Sequence, residues 1–325
     1  MTTNWRPTAT IETLKQRARI IQNIRAFFNV REVLEVQVPA ITQSGITDVN
    51  IDSLTVNLGS SIAYLHTSPE YPMKRLLAAG MPDCYFLGSV FRSAECGANH
   101  NPEFTMLEWY RLGFTMFDLI DEVLDLITLF LPHESSEVNL LSYADAFLHA
   151  LEVDVNTLEI EDIQAILRVN KIDYPDLILK DEYLDLLMSL VVIPKLTSKT
   201  DLDKPSILVI HSYPLSQAAL AKENTVNPDY RTAARFEVIV NGLEIANGYE
   251  ECLDADALKQ RFIEDNNKRI SLNKKEMPID TKFLAAHEYE LPACSGVALG
   301  IDRLCMLAMD KTHINDVIGF PIEHC

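Results

Sequence analysis

Asn241-Gly242 lies between two runs of strand-forming residues, Phe236 to Val240 and Leu243 to Tyr249. A two-residue loop of this composition closes a β-hairpin, because both residues accept the positive φ that matches the right-handed twist of the flanking strands. The chain is thereby committed to antiparallel pairing. Further strand-like runs at Val33 to Val38, Ile51 to Leu58, Ile62 to His66, Cys84 to Arg92, Phe104 to Arg111, Ile207 to His211 and Ser295 to Leu299 enlarge that sheet. The first of them stops at Pro39, which cannot donate to a ladder.

Helical periods fall between the strands. Ile11, Leu14, Ala18, Ile21, Ile24 and Phe28 recur three or four apart, which predicts an amphipathic helix with that face buried. Pro69 to Ala79 reads as a short helix with proline near its start. Thr115 and Asp118 form a capping box ahead of a helix over Met116 to Leu131. Helices are also expected from about Ala255 to Leu272 and, after Gly300, over Ile301 to Met309. Residues 133 to about 205 alternate acidic and apolar positions at helical spacing, the pattern of a helical insertion. The expected fold is a single α+β domain over residues 1–325, with a mostly antiparallel sheet flanked by helices.

With 325 residues, 48% of them hydrophobic, the chain can bury a large core. Its N-terminus has no apolar run of signal-peptide length, and no stretch of about 18 apolar residues is uninterrupted, so a soluble cytoplasmic protein without membrane contact is expected. Six scattered cysteines show no zinc-ligand spacing and read as reduced thiols. A net charge of -19, from 47 acidic and 28 basic residues, weighs against a broad electrostatic footprint on nucleic acid.

Three segments concentrate polar groups. In FTMLEWYR, period 2 puts Phe104, Met106, Glu108 and Tyr110 on one strand face. That is either a half-buried strand with one satisfied carboxyl or a surface that stacks a base and binds a cation. A long polar loop, Ser93 to Glu103, precedes this strand. In the hairpin, Glu237 and Glu244 become diagonal neighbours on one face, roughly 7 to 8 Å apart. They are either solvent-facing acids or a pair held together by magnesium, which is usually bound by one or two protein carboxylates and phosphate oxygens. Asn247, Tyr249 and Glu251 have the opposite parity, so a common site requires a bulge near Ala246 to Gly248. Last, CSGVALGIDRL sets Gly296 and Gly300 ahead of Asp302-Arg303, where the arginine either lies on the surface behind an ordinary cap or grips phosphate with its planar fork.

Together and in order, these segments resemble the signature motifs of class II aminoacyl-tRNA synthetases, above all of lysyl-tRNA synthetases. The first helix with VLEVQVPAI resembles motif 1, Phe91 to Tyr110 resembles motif 2, and Gly296 to Leu304 resembles motif 3. HTSPE and RFEVIVNGLEIANGYEE resemble the amino-acid and magnesium segments. No anticodon-binding domain is expected beside this core. With HNPEFTMLEWY, that makes the chain similar to the truncated paralogues that join (R)-beta-lysine to elongation factor P.

The resemblance implies a homodimer using ATP and Mg2+. Arg92 and Arg303 would hold the ATP phosphates, Glu95 and His100 would contact the nucleotide, Phe104 would stack on adenine, and Glu237 and Glu244 would hold the metal. Ser68, Glu70, Glu108, Tyr110, Asn247, Tyr249 and Glu251 would line the amino-acid pocket, their carboxylates matched to a dibasic substrate. Two positions depart from the synthetase pattern: Ala94 precedes Glu95 where a glutamate is usual, and Ala298 replaces a glycine, as it does in the beta-lysine ligases. The reaction implied is attack of the amino acid carboxylate on the ATP α-phosphate, then attack of a lysine side chain of elongation factor P on the adenylate. A tRNA ligase, another amide ligase and a non-catalytic amino-acid sensor are the competing expectations.

Overall fold

The computed structural model describes residues 5–93, 95–131, 138–197, 205–224 and 231–325. Ala94 and parts of the 133–205 segment, both singled out above, lie outside the described residues. The chain divides into two compact units, Met1–Leu131 with Gly248–Cys325, and Pro132–Asn247.

In the first unit, helix Ile11–Asn29 begins where Thr10 Oγ1 accepts the Thr13 backbone N–H at 3.1 Å. Its buried face is Thr13, Ile20, Ile24, Phe27 and Phe28, with Phe28 stacked on Tyr85 at 4.5 Å. This corrects the expected stripe, since Ile11 is 61% exposed and Ala18 is also exposed. Polar anchoring turns the helix: Arg17 Nη1 lies 2.6 Å from Asp302 Oδ1, and Arg17 Nη2 donates to Thr105 Oγ1 at 2.8 Å. A buried carboxylate needs its cation more than one exposed isoleucine needs cover.

Strand Glu103–Leu112 pairs antiparallel with Cys84–Phe91 on one side and with Cys294–Gly300 on the other. Its residues alternate between two packed environments. Met106 and Tyr110 join Met73, Leu77, Cys84 and Phe86, while Trp109 Nε1 donates to Glu122 at 2.9 Å on helix Met116–Thr128. That helix starts at the expected Thr115/Asp118 capping box. The expected strand Val33 to Val38 shrinks to Leu34–Glu35, parallel to Cys84–Phe91.

Helices Glu70–Ala78, Ala255–Ser271, Thr281–Glu288 and Ile301–Ala308 complete the layer. A small sheet combines Ile41–Thr42, Thr55–Asn57 and Ile62–Leu65. The expected strand from Ile51 starts late because Arg269 claims the Ile51 carbonyl and the Ser93 backbone N–H claims that of Asp52. Backbone groups satisfied by side chains are lost to a ladder.

In the second unit, strand Ile207–Pro214 pairs antiparallel with Thr232–Val240 and parallel with Val138–Ser142. Asn241 at φ 52° and Gly242 at φ 80° form the expected turn into Leu243–Glu250. Helices Tyr143–Leu151, Ile160–Val169 and Lys180–Leu187 enclose Phe147, Ile163, Leu167, Leu187, Leu208 and Ile210. The segment expected to be helical thus also carries a strand, Val138–Ser142, hidden from pattern reading because Val138 and Leu140 are exposed.

Asp302 is buried, forms an ion pair with Arg17 and accepts the Thr105 backbone N–H at 2.8 Å. Replacing Arg17 with methionine leaves that carboxylate short of its cation. The expected loss is about 3 kcal/mol of unfolding free energy, read from the urea midpoint at unchanged slope.

Candidate active site

Two groups of side chains meet in the first unit. One joins motif 2 to motif 3. His100 Nε2 lies 2.6 Å from Arg303 Nη2, although the two residues are 203 positions apart. A guanidinium only donates, so the imidazole nitrogen accepts, which fixes His100 as the neutral tautomer protonated at Nδ1. Burial, and then the Arg303 charge, pushes the His100 pKa down in agreement with that state. Arg92 donates from Nε to the Thr67 carbonyl at 3.4 Å, lies 3.5 Å from Glu95 and stands 5.1 Å over the Phe104 ring. Five residues expected to meet a nucleotide are therefore assembled as two cation-centred contacts, each with a planar group beside an arginine.

The second group is acidic and buried. Glu108 sits on the central strand with Tyr110 Oη donating to its Oε1 at 2.8 Å, while among the described residues none bonds its Oε2. Ala298, directly across the ladder from Glu108, places its methyl on the same face. Ser68 Oγ accepts the Glu70 backbone N–H at 3.3 Å at the start of helix Glu70–Ala78. Glu251 is 2% exposed, and its Oε1 has no hydrogen-bond partner.

Between Glu70 and Glu251 lies a lysine that hydrophobic patterning would place on the surface. Lys74 is fully buried, its Nζ 2.6 Å from Glu70 Oε1 and 2.6 Å from Glu251 Oε2. Its signal was present, because Glu70 and Lys74 have the i,i+4 spacing of a helical ion pair. Burial alone would push the ammonium pKa down, but the Glu251 and Glu70 charges outweigh it and raise it, so Lys74 stays charged. Burial, reinforced by Glu70, pushes Glu108 well above the usual carboxylate range, and burial pushes Tyr110 up, with Glu108 adding to it. Glu251 is pushed up to about 8 by burial, which Lys74 only partly offsets. Three carboxyls around one ammonium cannot all ionise cheaply without a second cation.

In the second unit, Glu237 Oε1 accepts from Arg235 Nη2 at 2.6 Å and from Asn247 Nδ2 at 3.3 Å. Unbroken alternation from the two-residue turn assigns Glu237 and Asn247 to opposite faces, yet their side chains are in hydrogen-bond contact. Arg235, two residues earlier, forms an ion pair with Glu237. Arg235 also donates to the Gln217 carbonyl at 2.7 Å. Glu244 is exposed, and Tyr249 is half-buried in the first unit. No group of three or more His, Cys, Asp or Glu able to hold a metal occurs among the described residues. A donor set of one or two carboxylates fits magnesium that is bound largely through phosphate oxygens.

A central antiparallel strand with an arginine in the loop before it, and an arginine at the following strand-to-helix junction, defines a class II synthetase core. The match is explicit: the family model for tRNA synthetases class II (D, K and N) covers residues 2–324, and the chain belongs to that family. Among its relatives, a protein of Proteus mirabilis named elongation factor P--(R)-beta-lysine ligase is 44% identical over 325 residues, covering 98% of each chain. A protein of the same name from Hamiltonella defensa is 44% identical over 327 residues, again covering 98% of each chain. Another, from Pectobacterium carotovorum, is 42% identical over 328 residues, covering 99% of this chain and 98% of the relative.

Gly296 faces Tyr110 across the ladder, and a Cβ there would collide with the Tyr110 ring and lie 2.7 Å from Glu251 Oε1. Tyr110 is itself buried and has no room to retreat. Gly296→Ala should therefore cost about 1 to 3 kcal/mol by overpacking and raise KM for the amino acid more than KM for ATP, as steady-state kinetics would register.

A raised carboxyl pKa means that the native state keeps a proton the unfolded chain has lost, so stability falls as pH rises through that interval. Relative to Glu108→Gln, the ligand-free wild type should lose stability as pH climbs from the ordinary glutamate value of 4.5. Paired urea titrations at several pH values would detect the divergence.

Proposed function

We propose that this chain is an ATP-dependent ligase that activates (R)-beta-lysine, or lysine, as its aminoacyl adenylate and transfers it to a lysine side chain of elongation factor P. The observation that carries this reading is the pair of buried carboxylate oxygens without a protein partner, Glu108 Oε2 and Glu251 Oε1. Unpaired buried acceptors call for a ligand that donates, and carboxylates in particular call for ammonium groups. The names of relatives 42–44% identical along nearly the whole chain support the same substrate.

In the proposed mechanism Glu70, Glu108, Tyr110 and Glu251 receive the amino acid's ammonium groups, with Ser68, Tyr249 and Ala298 lining the remainder. Phe104 stacks on adenine, and Glu95 and His100 contact the nucleotide. The amino acid carboxylate then attacks the α-phosphate in line and pyrophosphate leaves. Arg92 and Arg303 offset the charge that grows on the phosphoryl oxygens, so rate comes from positioning and preorganised electrostatics. Glu237 and Glu244 would hold magnesium, which supplies further positive charge to the phosphates when bound. The neutral ε-amine of the acceptor lysine attacks the adenylate carbonyl, forming an amide and releasing AMP.

The proposed location is the cytoplasm, where ATP and a translation factor meet, and no described helix is long and apolar enough to cross a membrane. A homodimer built on helix Ile11–Asn29 is also proposed, since Ile11, Val30 and Leu34 beside it are large apolar side chains open to solvent.

Labelled (R)-beta-lysine offered with ATP and magnesium to purified elongation factor P and, separately, to bulk tRNA should appear on the protein alone. Transfer to tRNA would reveal a minimal synthetase instead. Absence of label from both, together with no amino-acid-dependent pyrophosphate exchange, would point to a sensor.

A further inference from the structure

Lys74 has no place in the mechanism above, yet it is the most deeply buried cation of the acidic cluster. It is 0% exposed, and its Nζ touches one oxygen of Glu70 and one of Glu251 at 2.6 Å each. The rings of Tyr110 and Phe283 lie 6.0 and 5.8 Å from that nitrogen, within the range of cation–π attraction. A lysine spends about 2 kcal/mol of rotamer freedom when it is fixed this way, and a purely apolar residue could fill the same volume. Its charge therefore requires an explanation in terms of the carboxylates it touches.

Charge counting supplies one. Glu70, Glu108 and Glu251 contribute three carboxyls, and Lys74 compensates one of them. When all three are ionised, two further positive charges are needed, and the unpartnered Glu108 Oε2 and Glu251 Oε1 are where they would bind. Both residues are at least nine-tenths buried, at 3% and 2% exposure. Water is a poor substitute there, so the ligand itself must bring the missing charges.

We propose that Lys74 is a positioning and specificity-determining residue: a resident ammonium that clamps Glu70 to Glu251 and leaves the cluster matched to a ligand carrying two ammonium groups. The proposal rests on the reading that this cluster receives a dibasic amino acid, and it adds a partner already built into the chain. Without Lys74, Glu70 and Glu251 would repel each other, relieve the strain by taking up protons or swinging apart, and lose the alignment that presents their free oxygens. Lys74 touches neither nucleotide-side arginine, so its removal should be felt by the amino acid and not by ATP.

The test uses the full-length chain and the variants Lys74→Ala, Lys74→Met and Lys74→Arg. Amino-acid-dependent pyrophosphate exchange separates KM for lysine, KM for ATP and kcat. Lys74→Ala should raise KM for lysine on the order of a hundredfold, the equivalent of breaking a buried ion pair, with KM for ATP unchanged and the pH optimum for lysine use moved upward. Propylammonium, which restores the deleted atoms and their charge, should recover roughly tenfold of that loss, whereas 1-propanol, of similar size and no charge, should recover none. Lys74→Arg should retain more activity than Lys74→Met.

Equal rescue by 1-propanol would reduce Lys74 to a space filler and overturn the proposal. A parallel rise in KM for ATP, or an unchanged KM for lysine in a folded variant, would do the same. Should Lys74→Ala fail to fold, Lys74→Met and Lys74→Arg carry the comparison alone through their ordering and their pH profiles. Calorimetric titration of lysine into the same proteins reads the charge effect without turnover. Failure of the ligase reading would then show as absent exchange in the wild type, while the calorimetric comparison would still decide the role of Lys74.

Discussion

Strand Glu103–Leu112 must serve two environments through a side-chain period of two, and the first unit is organised around that constraint. On one face Trp109 is held by Glu122, whose helix is fixed by the Thr115/Asp118 capping box. On the other, Met106 and Tyr110 pack into an apolar cluster from which Glu108 projects with one oxygen unpaired. A shift of one residue in register would exchange the two sets and bury Trp109 where the acid belongs. Pairing on both sides, with Cys84–Phe91 and Cys294–Gly300, removes that freedom. The rigidity of the acidic cluster is thus inherited from two ladders and one buried tryptophan.

The same ladders bring distant motifs together. Gly296 stands opposite Tyr110 and Gly300 opposite Met106, so the strand that leads to Arg303 is registered against the strand that follows the Arg92 loop. Asp302 then anchors the start of helix Ile301–Ala308 to Thr105 and, through Arg17, to the first helix. Arg303 and His100 meet because both are fixed to the same frame, and their contact makes His100 an acceptor. Preorganisation of this kind is what electrostatic catalysis by positioned charges depends on.

Much of this was legible in the sequence, and the remainder was hidden for identifiable reasons. The hairpin at Asn241-Gly242, the capping box at Thr115 and the alternation in FTMLEWYR were readable because each depends on neighbours in sequence. The face of the first helix was misassigned because its orientation is set by Arg17, whose partners Thr105 and Asp302 lie 88 positions or more away. The strand expected from Ile51 starts late because its first carbonyls are taken from far along the chain, that of Ile51 by Arg269 and that of Asp52 by the Ser93 backbone N–H. Lys74 escaped notice for a different reason: hydrophobic patterning treats a lysine as surface, and only the convergence of Glu70 and Glu251 shows why this one is inside.

That convergence also explains why a costly arrangement persists. A folded chain gains nothing from Glu108 Oε2 and Glu251 Oε1 remaining unpaired, and each such group weakens it by roughly 1 to 3 kcal/mol. Replacing the cluster with apolar residues would make a more stable protein. The acids are affordable because Lys74 compensates one charge internally and protonation relieves others while the cluster is empty. Under the proposed function a cationic ligand would do more than fill space: it would replace those protons with directed hydrogen bonds and recover part of the stability that burial had removed. Affinity for ammonium groups and marginal stability of the empty cluster are, in this view, two readings of the same uncompensated charge.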